Sequence, residues 1–179
     1  MDVNALDFIK SIYYFGGDII MKSCNENNVE ILSKPSDAII KAIADKHGVI
    51  SDKVFRGLKH IIERAQSFTG YFCVVLYNKK NDVIGFAHFI QNSKETDKWF
   101  YTDLWVEEKY RRLGNAKRLV MVGYKHLSNI GAKSLLCTVD NQNIPSIKTQ
   151  TSLGFKEIEA KPFEFFDNSD LLMFMKEIC

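Results

Sequence analysis

Proline and glycine are scarce in this sequence: the 179-residue chain has 3 prolines and 10 glycines. This scarcity excludes collagen-like chains and the Pro/Gly-rich composition of many disordered chains. Hydrophobic residues make up 46% of the chain, and neither repeats nor low-complexity segments occur. Because a chain of this length buries roughly two thirds of its unfolded surface on folding, we expect one domain over residues 1–179 whose core needs no disulfide or metal.

A predominance of one charge sign is also missing, since 24 Lys and Arg residues face 22 Asp and Glu residues, for a net charge of +2. This balance gives no global field that would attract nucleic acid or an anionic membrane. No apolar run approaches the ~20 residues of a membrane span. The N-terminus lacks a basic start followed by an apolar run, so a secretory signal is not expected. We therefore predict a cytoplasmic protein without membrane or nucleic-acid partners.

Metal-binding motifs are absent as well. The four cysteines lie far apart and form neither a CxxC motif nor a Cys/His pair, which excludes the usual zinc spacings. Cys73 and Cys137 lie within apolar runs, and we expect buried, reduced thiols, as in a cytoplasmic protein. No function is assigned to the histidines, which show no ligand spacing: His47, His60, His88 and His126.

The first third of the chain is predicted to be mostly helical. Apolar residues recur at three- and four-residue spacing from Ala5 to Phe15, which favours a helix ended by Gly16-Gly17. A short strand is predicted over 29–32. Two further helices are predicted, one from Pro35-Ser36-Asp37 to His47-Gly48 and one from Ser51-Asp52 to about Gln66.

From Tyr71 onward the pattern changes to strands alternating with amphipathic helices. Strands are predicted over 71–77, 83–90 (after a turn at 79–82), 99–106, 134–139, 163–166 and 171–178. One helix is predicted from Pro145 to Gly154, and a longer one from about Asn115 to Gly131, with a buried face formed by Ala116, Leu119, Val120, Gly123, Leu127 and Ile130. The order β-β-β-α-β-α-β-β predicts an α/β (α+β) fold with a mixed sheet and helices packed on it.

The segment from Leu104 to Leu119 carries the functional signal. It is predicted to run from a strand through a tight loop into a helix whose first backbone N–H groups favour an anion. Gly114 allows the backbone to approach a ligand closely, and Ala116 keeps the first helical turn small. Five of the ten residues in 109–118 are basic. These features predict a diphosphate site; the alternative is a solvated basic face beside an ordinary turn.

Other phosphate-binding motifs are missing, because neither GxxxxGK(S/T) nor GxGxxG occurs, and nucleoside triphosphates and dinucleotides are disfavoured as ligands. The segment instead resembles the acyl-CoA-binding motif of the GNAT superfamily of N-acetyltransferases. That motif, Arg/Gln-x-x-Gly-x-Gly/Ala, is matched by Arg111, Gly114 and Ala116. The resemblance covers roughly residues 70–160 and implies a mixed, mostly antiparallel central sheet flanked by helices.

The second motif of the superfamily, Asn-x-x-Ala-x-x-x-Tyr-x-x-x-Gly-Phe, is matched in part. Asn143, Gly154 and Phe155 agree with it, whereas Ser146 replaces Ala and Gln150 replaces Tyr. An amide has no usable proton to give a departing thiolate. We therefore expect either that solvent protonates the thiolate or that efficient catalysis has been lost. For Phe155, core packing is the preferred interpretation.

The resemblance implies acetyl-CoA (coenzyme A) as co-substrate and no metal. The residues implied to contact it are Leu104, Trp105 and Val106 beside the pantetheine arm, Arg111, Arg112, Leu113, Gly114, Asn115, Ala116 and Lys117 around the pyrophosphate, and Asn143 and Ser146 on the following helix. For Asn143, the alternative is a helix cap ahead of Pro145.

Asp103 is the candidate catalytic residue. An amine of pKa near ~10 is mostly protonated at neutral pH and must lose a proton before it attacks a thioester. Some relatives carry an acidic residue at this place that acts on the acceptor amine; the alternative is an Asp at a strand bulge. Trp99, Phe100 and Tyr101 could line an acceptor pocket, but core packing is the preferred interpretation for alternating members of this strand.

The resemblance predicts an N-acyltransferase that moves an acetyl group from acetyl-CoA to a primary amine of a small molecule or peptide, with residues 1–66 on the acceptor side. The alternative is a non-catalytic acyl-CoA-binding sensor, which the Gln150 substitution favours. A nucleic-acid-directed protein is a third hypothesis, supported only by the basic run 109–118. The sequence leaves open the acceptor and the formation of a homodimer.

Overall fold

The structure is a computed structural model that describes residues 12–15, 18–22, 28–46, 55–57, 59, 60, 62, 63, 70–159 and 170–179. The strands in this part are β1 (Ile12–Phe15), β2 (Asp18–Lys22), β3 (Asn28–Leu32), β4 (Tyr71–Tyr77), β5 (Val83–Gln91), β6 (Lys98–Val106), β7 (Ser134–Asp140), β8 (Lys156–Ile158) and β9 (Leu171–Glu177). The α-helices with defined bounds are α1 (Asp37–Asp45), α2 (Asn115–Asn129) and α3 (Ile144–Ser152), and a 3-10 turn spans Glu108–Tyr110.

These strands form one sheet in the order β1-β2-β3-β4-β5-β6-β7-β9-β8. Every neighbouring pair is antiparallel except β6 and β7, which are parallel. A parallel pair requires a crossover connection, and α2 provides it. The predicted mixed, mostly antiparallel sheet with flanking helices is therefore confirmed.

Each face of the sheet carries a hydrophobic core. On one face α2 packs through Leu119, Val120 and Leu127 against side chains such as Phe89 and Trp99. A Cβ at Gly123 would overlap the Phe89 ring, so glycine is required for the close approach of α2 to the sheet. On the other face, α1 packs against the sheet through Ile40 and Ile43, and Ile62 and Phe55 join this core.

The helix and strand predictions hold for most of the described residues. Helix α1 begins as predicted, with Ser36 as its N-cap accepting a hydrogen bond from the Ile39 N–H at 3.4 Å. The described residues among 55–63 are helical, in agreement with the predicted second helix. No helix in the described ranges is long and apolar enough to cross a membrane. The predicted helix end at His47-Gly48 and the predicted strand over 163–166 lie outside the described residues.

The predicted helix over Ala5–Phe15 is wrong for the part of it that the structure describes. Residues Ile12–Phe15, assigned to a helix over Ala5–Phe15, form β1, and β1 pairs with β2 from Ile12↔Met21 to Phe15↔Asp18. Their residue types, one isoleucine followed by three aromatics, have high strand propensity, and Gly-Gly between two such runs is typical of a hairpin. The strand propensity of these residues and the hairpin pattern therefore outweigh the three- and four-residue spacing of the apolar residues. Residues 5–11 lie outside the described part.

Two smaller corrections concern the C-terminal half. Strand β8 was not predicted, because its three residues are mostly exposed and carry no apolar pattern. Ile130 was placed on the buried face of α2, but it is 52% exposed. Ile130 is the C-cap residue and has no helical geometry, because the helix ends at Asn129. The helical periodicity therefore does not predict the direction of its side chain.

Candidate active site

A gap opens in the sheet between β6 and β7. The two strands pair only at Lys98↔Ser134, Trp99↔Leu135 and Phe100↔Leu136. Beyond this point β7 continues to pair with β9, whereas β6 runs on to Val106 with β5 on its other side. The edge of β6 from Tyr101 to Val106 therefore has no strand partner among the described residues on the β7 side. An extended ligand can add to such an edge as an extra strand would.

A β-bulge lies on β6 beside this gap. His88 faces Thr102 and Phe86 faces Trp105, so Ala87 of β5 lies opposite two residues of β6, Asp103 and Leu104. Asp103 has a φ of 56°, in the left-handed region that aspartate tolerates better than most residues. The bulge alternative for Asp103 is thus confirmed for its backbone. A bulge also re-aims a side chain, and the Asp103 side chain is 30% exposed.

The three residues expected beside the pantetheine arm point in different directions. Leu104 packs against the core on the α2 face. Trp105 lies on the α1 face, where its ring stacks on Phe86 at 5.4 Å between centroids and lies 5.7 Å from Lys46 Nζ. Val106 is buried, and its carbonyl oxygen accepts a hydrogen bond from Arg111 Nε at 2.8 Å. The Trp105 side chain therefore faces the opposite side of the sheet from Leu104.

The loop between β6 and α2 is fixed by its own polar contacts. Arg111 anchors it to the Val106 carbonyl, and the buried Asn115 donates from Nδ2 to the Tyr110 carbonyl at 2.8 Å. Arg112 has a φ of 61° and Gly114 a φ of 80°, so the chain reverses direction within a few residues. Between them, the Leu113 side chain is 68% exposed.

The N-terminus of α2 is suited to an anion. Gly114 is its N-cap and provides no side-chain cap, and the first turn has no acidic residue. The first N–H groups of a helix have no intrahelical partner, and the helix dipole adds partial positive charge there. A Cβ at Gly114 would meet no heavy atom within 4 Å. Ala116 is half-buried and Lys117 is exposed beside this opening.

The five basic residues in 109–118 differ in their surroundings. Lys109 forms an ion pair with Glu107 at 2.9 Å, and this hydrogen bond raises the pKa of Lys109. Burial lowers the pKa of Arg118, which is half-buried in α2. Arg112 and Lys117 are exposed. Arg111 is also exposed, although its Nε is bonded to the Val106 carbonyl.

The start of α3 lies after β7, and two predicted cofactor ligands are found there. Asn143 is the N-cap, and its Oδ1 accepts a hydrogen bond from the Ser146 N–H at 3.2 Å. The capping alternative is therefore confirmed for the Asn143 oxygen. Ser146 is half-buried in the first turn. Contact of either residue with a cofactor stays a prediction.

Gln150 is buried at the place where the gap begins. It is 1% exposed, and its Oε1 accepts a hydrogen bond from the Tyr101 hydroxyl. Burial is the main cause that raises the pKa of Tyr101. Burial also raises the pKa of the neighbouring Cys137 thiol to about 12, which keeps this thiol protonated. Trp99, Tyr101 and Phe155 are all buried in the core, which confirms core packing for these three aromatics.

Sequence reasoning missed one buried polar group, His88. It is 3% exposed on β5, its Nδ1 lies 2.7 Å from the Tyr71 hydroxyl, and its Nε2 lies 3.8 Å from Asp103 Oδ2. A signal for it did exist: His88 is the one polar residue among the otherwise apolar residues 83–90. Buried polar groups of this kind are normally paired. The partners, however, come from two other strands and could not be read from spacing.

Comparison with known proteins agrees with this arrangement. A model of the acetyltransferase (GNAT) family matches residues 43–155, more than half of the 179-residue chain. The chain therefore belongs to the GNAT acetyltransferase family. No curated protein matches the sequence.

Solved structures of similar fold include acetyltransferases from several bacteria and an archaeon. A GNAT-family acetyltransferase from Staphylococcus aureus Mu50 has a TM-score of 0.67 and 13% identity over 84% of this chain and 99% of its own. The PaiA N-acetyltransferase from Thermoplasma acidophilum, solved with coenzyme A, has a TM-score of 0.64 and 16% identity over 83% and 98%. The ribosomal-protein-S5-alanine acetyltransferase from Vibrio fischeri has a TM-score of 0.66 and 13% identity over 88% and 96%.

Proposed function

We propose that this chain is a single-domain, cytoplasmic N-acetyltransferase that moves the acetyl group of acetyl-CoA to a primary amine of a small molecule or peptide. The observation that carries the proposal is the open edge of β6 leading to the uncapped N-terminus of α2. These two features suit the two parts of coenzyme A, an extended amide-containing arm and a diphosphate. Residues 1–66 are proposed to form much of the acceptor side. The cytoplasmic location is supported by the buried side chains of Cys73 and Cys137, which are thiols and not members of a disulfide.

Coenzyme A would lie along β6 with its pyrophosphate at α2. Backbone groups of Leu104 and Val106 would hydrogen-bond the pantetheine amides as a neighbouring strand would. The N–H groups of residues 112–117 would surround the pyrophosphate, with Arg112 and Lys117 adding charge. The exposed Asn143 and half-buried Ser146 at the start of α3 would line the other wall of the gap. When bound, acetyl-CoA supplies the activated acetyl thioester.

Deprotonation of the acceptor amine is assigned to Asp103. The bulge places its partly exposed carboxylate at the middle of β6, beside the residues proposed to hold the pantetheine arm. The amine gives a proton to this carboxylate, directly or through an ordered water, and then attacks the thioester carbon. A backbone N–H of residues 104–106 would stabilise the oxyanion that forms.

The departing thiolate of coenzyme A is proposed to take its proton from water. Gln150 has no acidic proton, and the Tyr101 phenol is bonded to Gln150 and has a raised pKa. A phenol is already a weaker acid than a thiol of pKa ~8.5, so a raised phenol pKa makes donation still less favourable. Cys137 is protonated near neutral pH and cannot act as a covalent nucleophile.

A non-catalytic acyl-CoA sensor is the second candidate. The observation that favours it is the buried Gln150 in place of the family's tyrosine. A sensor would bind acetyl-CoA through the same loop without releasing thiol. Nucleic-acid binding has less support, because Lys109 is paired with Glu107 and Arg111 is bonded to the Val106 carbonyl.

The test is release of free thiol from acetyl-CoA across a panel of primary amines that includes polyamines, aminoglycosides and peptide N-termini. The enzyme proposal predicts amine-dependent release with at least one class. Binding of acetyl-CoA with no release for any amine would instead support the sensor.

A further inference from the structure

Three polar side chains form a chain across adjacent strands on the α1 face of the sheet. Tyr71 lies on β4, His88 on β5 and Asp103 on β6. The Tyr71 hydroxyl lies 2.7 Å from His88 Nδ1, and His88 Nε2 lies 3.8 Å from Asp103 Oδ2. Tyr71 is 6% exposed and His88 is 3% exposed, whereas the Asp103 side chain is 30% exposed. Only the last member of the chain reaches the solvent-accessible side of the bulge.

The sheet register explains how the three meet. His88 is opposite Cys73 on β4 and opposite Thr102 on β6. Tyr71 is two residues from Cys73 and so lies on the same face of its strand as Cys73. Asp103 follows Thr102, and in a regular strand the two side chains would point to opposite faces. The bulge and the positive φ of Asp103 break this alternation, and they bring Asp103 Oδ2 to 3.8 Å from His88 Nε2.

The ring of His88 is held firmly in place. It stacks with Tyr71 at 6.0 Å between centroids and packs against Phe86 at 5.7 Å. Burial raises the pKa of Tyr71, so its phenol keeps its proton. An imidazole nitrogen is a stronger acceptor than a thiol sulfur such as that of Cys73. The phenol therefore donates to Nδ1, which leaves the imidazole proton on Nε2, the nitrogen that faces Asp103.

We propose that His88 is a positioning residue, fixed by Tyr71, whose Nε2–H faces the Asp103 carboxylate at 3.8 Å, beyond hydrogen-bond distance, and orients it electrostatically toward the acceptor amine. This inference rests on the proposed function, since it assigns to His88 a part in amine deprotonation. Asp103 takes one proton from the acceptor ammonium group and later returns it to solvent; the nitrogen loses its second proton to solvent when the tetrahedral intermediate collapses, and the departing thiolate takes a proton from water. An Asp on a left-handed bulge residue without this support would have several accessible rotamers, and misplacement of a catalytic group slows a reaction strongly.

Kinetics of four single variants and one double variant test the proposal with the amine that gives the best turnover. Tyr71→Phe and His88→Gln are expected to lower kcat on the order of 10- to 100-fold, with KM for acetyl-CoA unchanged. Tyr124→Phe is the matched control: it removes a hydroxyl that donates to the Glu177 carbonyl at 3.0 Å, away from the bulge, and should keep parental activity. In the Asp103→Asn background, Tyr71→Phe should cause no further loss of kcat, because Tyr71 acts on catalysis only through His88 and the Asp103 carboxylate.

Nitrogen NMR of isotopically labelled histidine gives a readout that does not need turnover. The parent protein should show His88 as the Nε2–H tautomer, and Tyr71→Phe should shift it toward a mixture of tautomers. An Nδ1–H tautomer in the parent overturns the proposal, as does an active parent in which Tyr71→Phe and His88→Gln match Tyr124→Phe. The proposal is also overturned if the loss of kcat in the Asp103→Asn/Tyr71→Phe double variant is the product of the losses in the two single variants. A parent that releases no thiol with any amine overturns the proposed function instead.

Discussion

At the scale of single residues, Asp103 is the position where backbone and chemistry are most tightly linked. We expect Asp103→Asn to lower kcat roughly 10²-fold or more while leaving acetyl-CoA affinity nearly intact. Asparagine tolerates a left-handed φ as well as aspartate does, so the bulge should survive. The measurement is steady-state thiol release together with acetyl-CoA binding.

Asp97→Asn is the control for that prediction. Asp97 precedes the same strand and forms an ion pair with Lys133 at 3.3 Å, at the end of β6 far from the bulge. It should behave like the parent. An Asp103→Asn variant with parental turnover at every pH would limit Asp103 to a structural role.

Tyr101 permits a second residue-scale prediction, because its hydroxyl donates to a fully buried amide oxygen. Tyr101→Phe removes this donor and should lower the free energy of unfolding by about 1–3 kcal/mol. If water protonates the thiolate, kcat per folded molecule should stay close to the parental value. Urea unfolding and thiol release at several pH values check both parts. A large loss of kcat with a changed alkaline limb would make Tyr101 the proton donor.

At the scale of elements, the N-terminus of α2 is the feature on which the proposed binding of coenzyme A depends. A valine at position 114 would have to adopt a φ of 80°, which is strongly disfavoured for a β-branched residue. Gly114→Val should therefore move the first N–H groups of α2 and abolish the rise in melting temperature that coenzyme A produces. For the parent, that rise corresponds to about 2.7 kcal/mol at a hundredfold excess over Kd.

Gly131→Val serves as the matched control. Gly131 follows the other end of α2, has a φ of 78° and, like Gly114, has open space around its Cβ position. It should destabilise the protein to a similar degree and keep the coenzyme A shift. If coenzyme A raised the melting temperature of both variants equally, it would not bind at the N-terminus of α2.

The elements also show which parts of the structure were predictable from sequence. Strands β4 and β5 and helix α2 have long apolar patterns. The spacing of their apolar residues agrees with the residues that the structure buries. Strand β1 has only four residues. The apolar pattern of so short a segment fits the spacing of a strand and of a helix equally well. The turn between β6 and α2 was predictable because its glycine and the helix start are contiguous; diphosphate binding at this turn stays a prediction.

The polar contacts around the site could not be predicted in the same way. Tyr101 and Gln150 are 49 residues apart, and Tyr71 and His88 are 17 apart. Both pairs are brought together by packing or sheet register, and the His88–Asp103 approach further depends on a one-residue bulge. The residue types favoured core packing for Tyr101, which is correct, and gave no assignment for His88.

At the scale of the whole molecule, His126 links stability to pH. It is half-buried on α2, its ring packs edge-on against Phe72 at 4.7 Å, and burial lowers its pKa. The unfolded chain therefore binds a proton at His126 before the folded protein does. The contribution of His126 to stability is complete above the unfolded pKa of about 6.5 and is lost as pH falls below it.

Urea unfolding midpoints at about pH 7.5 and about pH 5.5 test this linkage. The drop in midpoint on acidification should be smaller in His126→Gln than in the parent. His60→Gln, which changes an exposed histidine, should retain the parental drop. An unchanged drop in His126→Gln would assign the pH dependence to other groups.

The most direct test of the central claim follows the acetyl group itself. The protein is incubated with deuterated acetyl-CoA and the amine that releases most thiol, and the acceptor is examined by mass spectrometry. The account predicts an acceptor heavier by one deuterated acetyl group, formed in equal amount to free thiol in the parent and strongly reduced in Gly114→Val and Asp103→Asn. Acetyl-CoA bound without any labelled amine, or thiol released by hydrolysis with an unmodified acceptor, would contradict it.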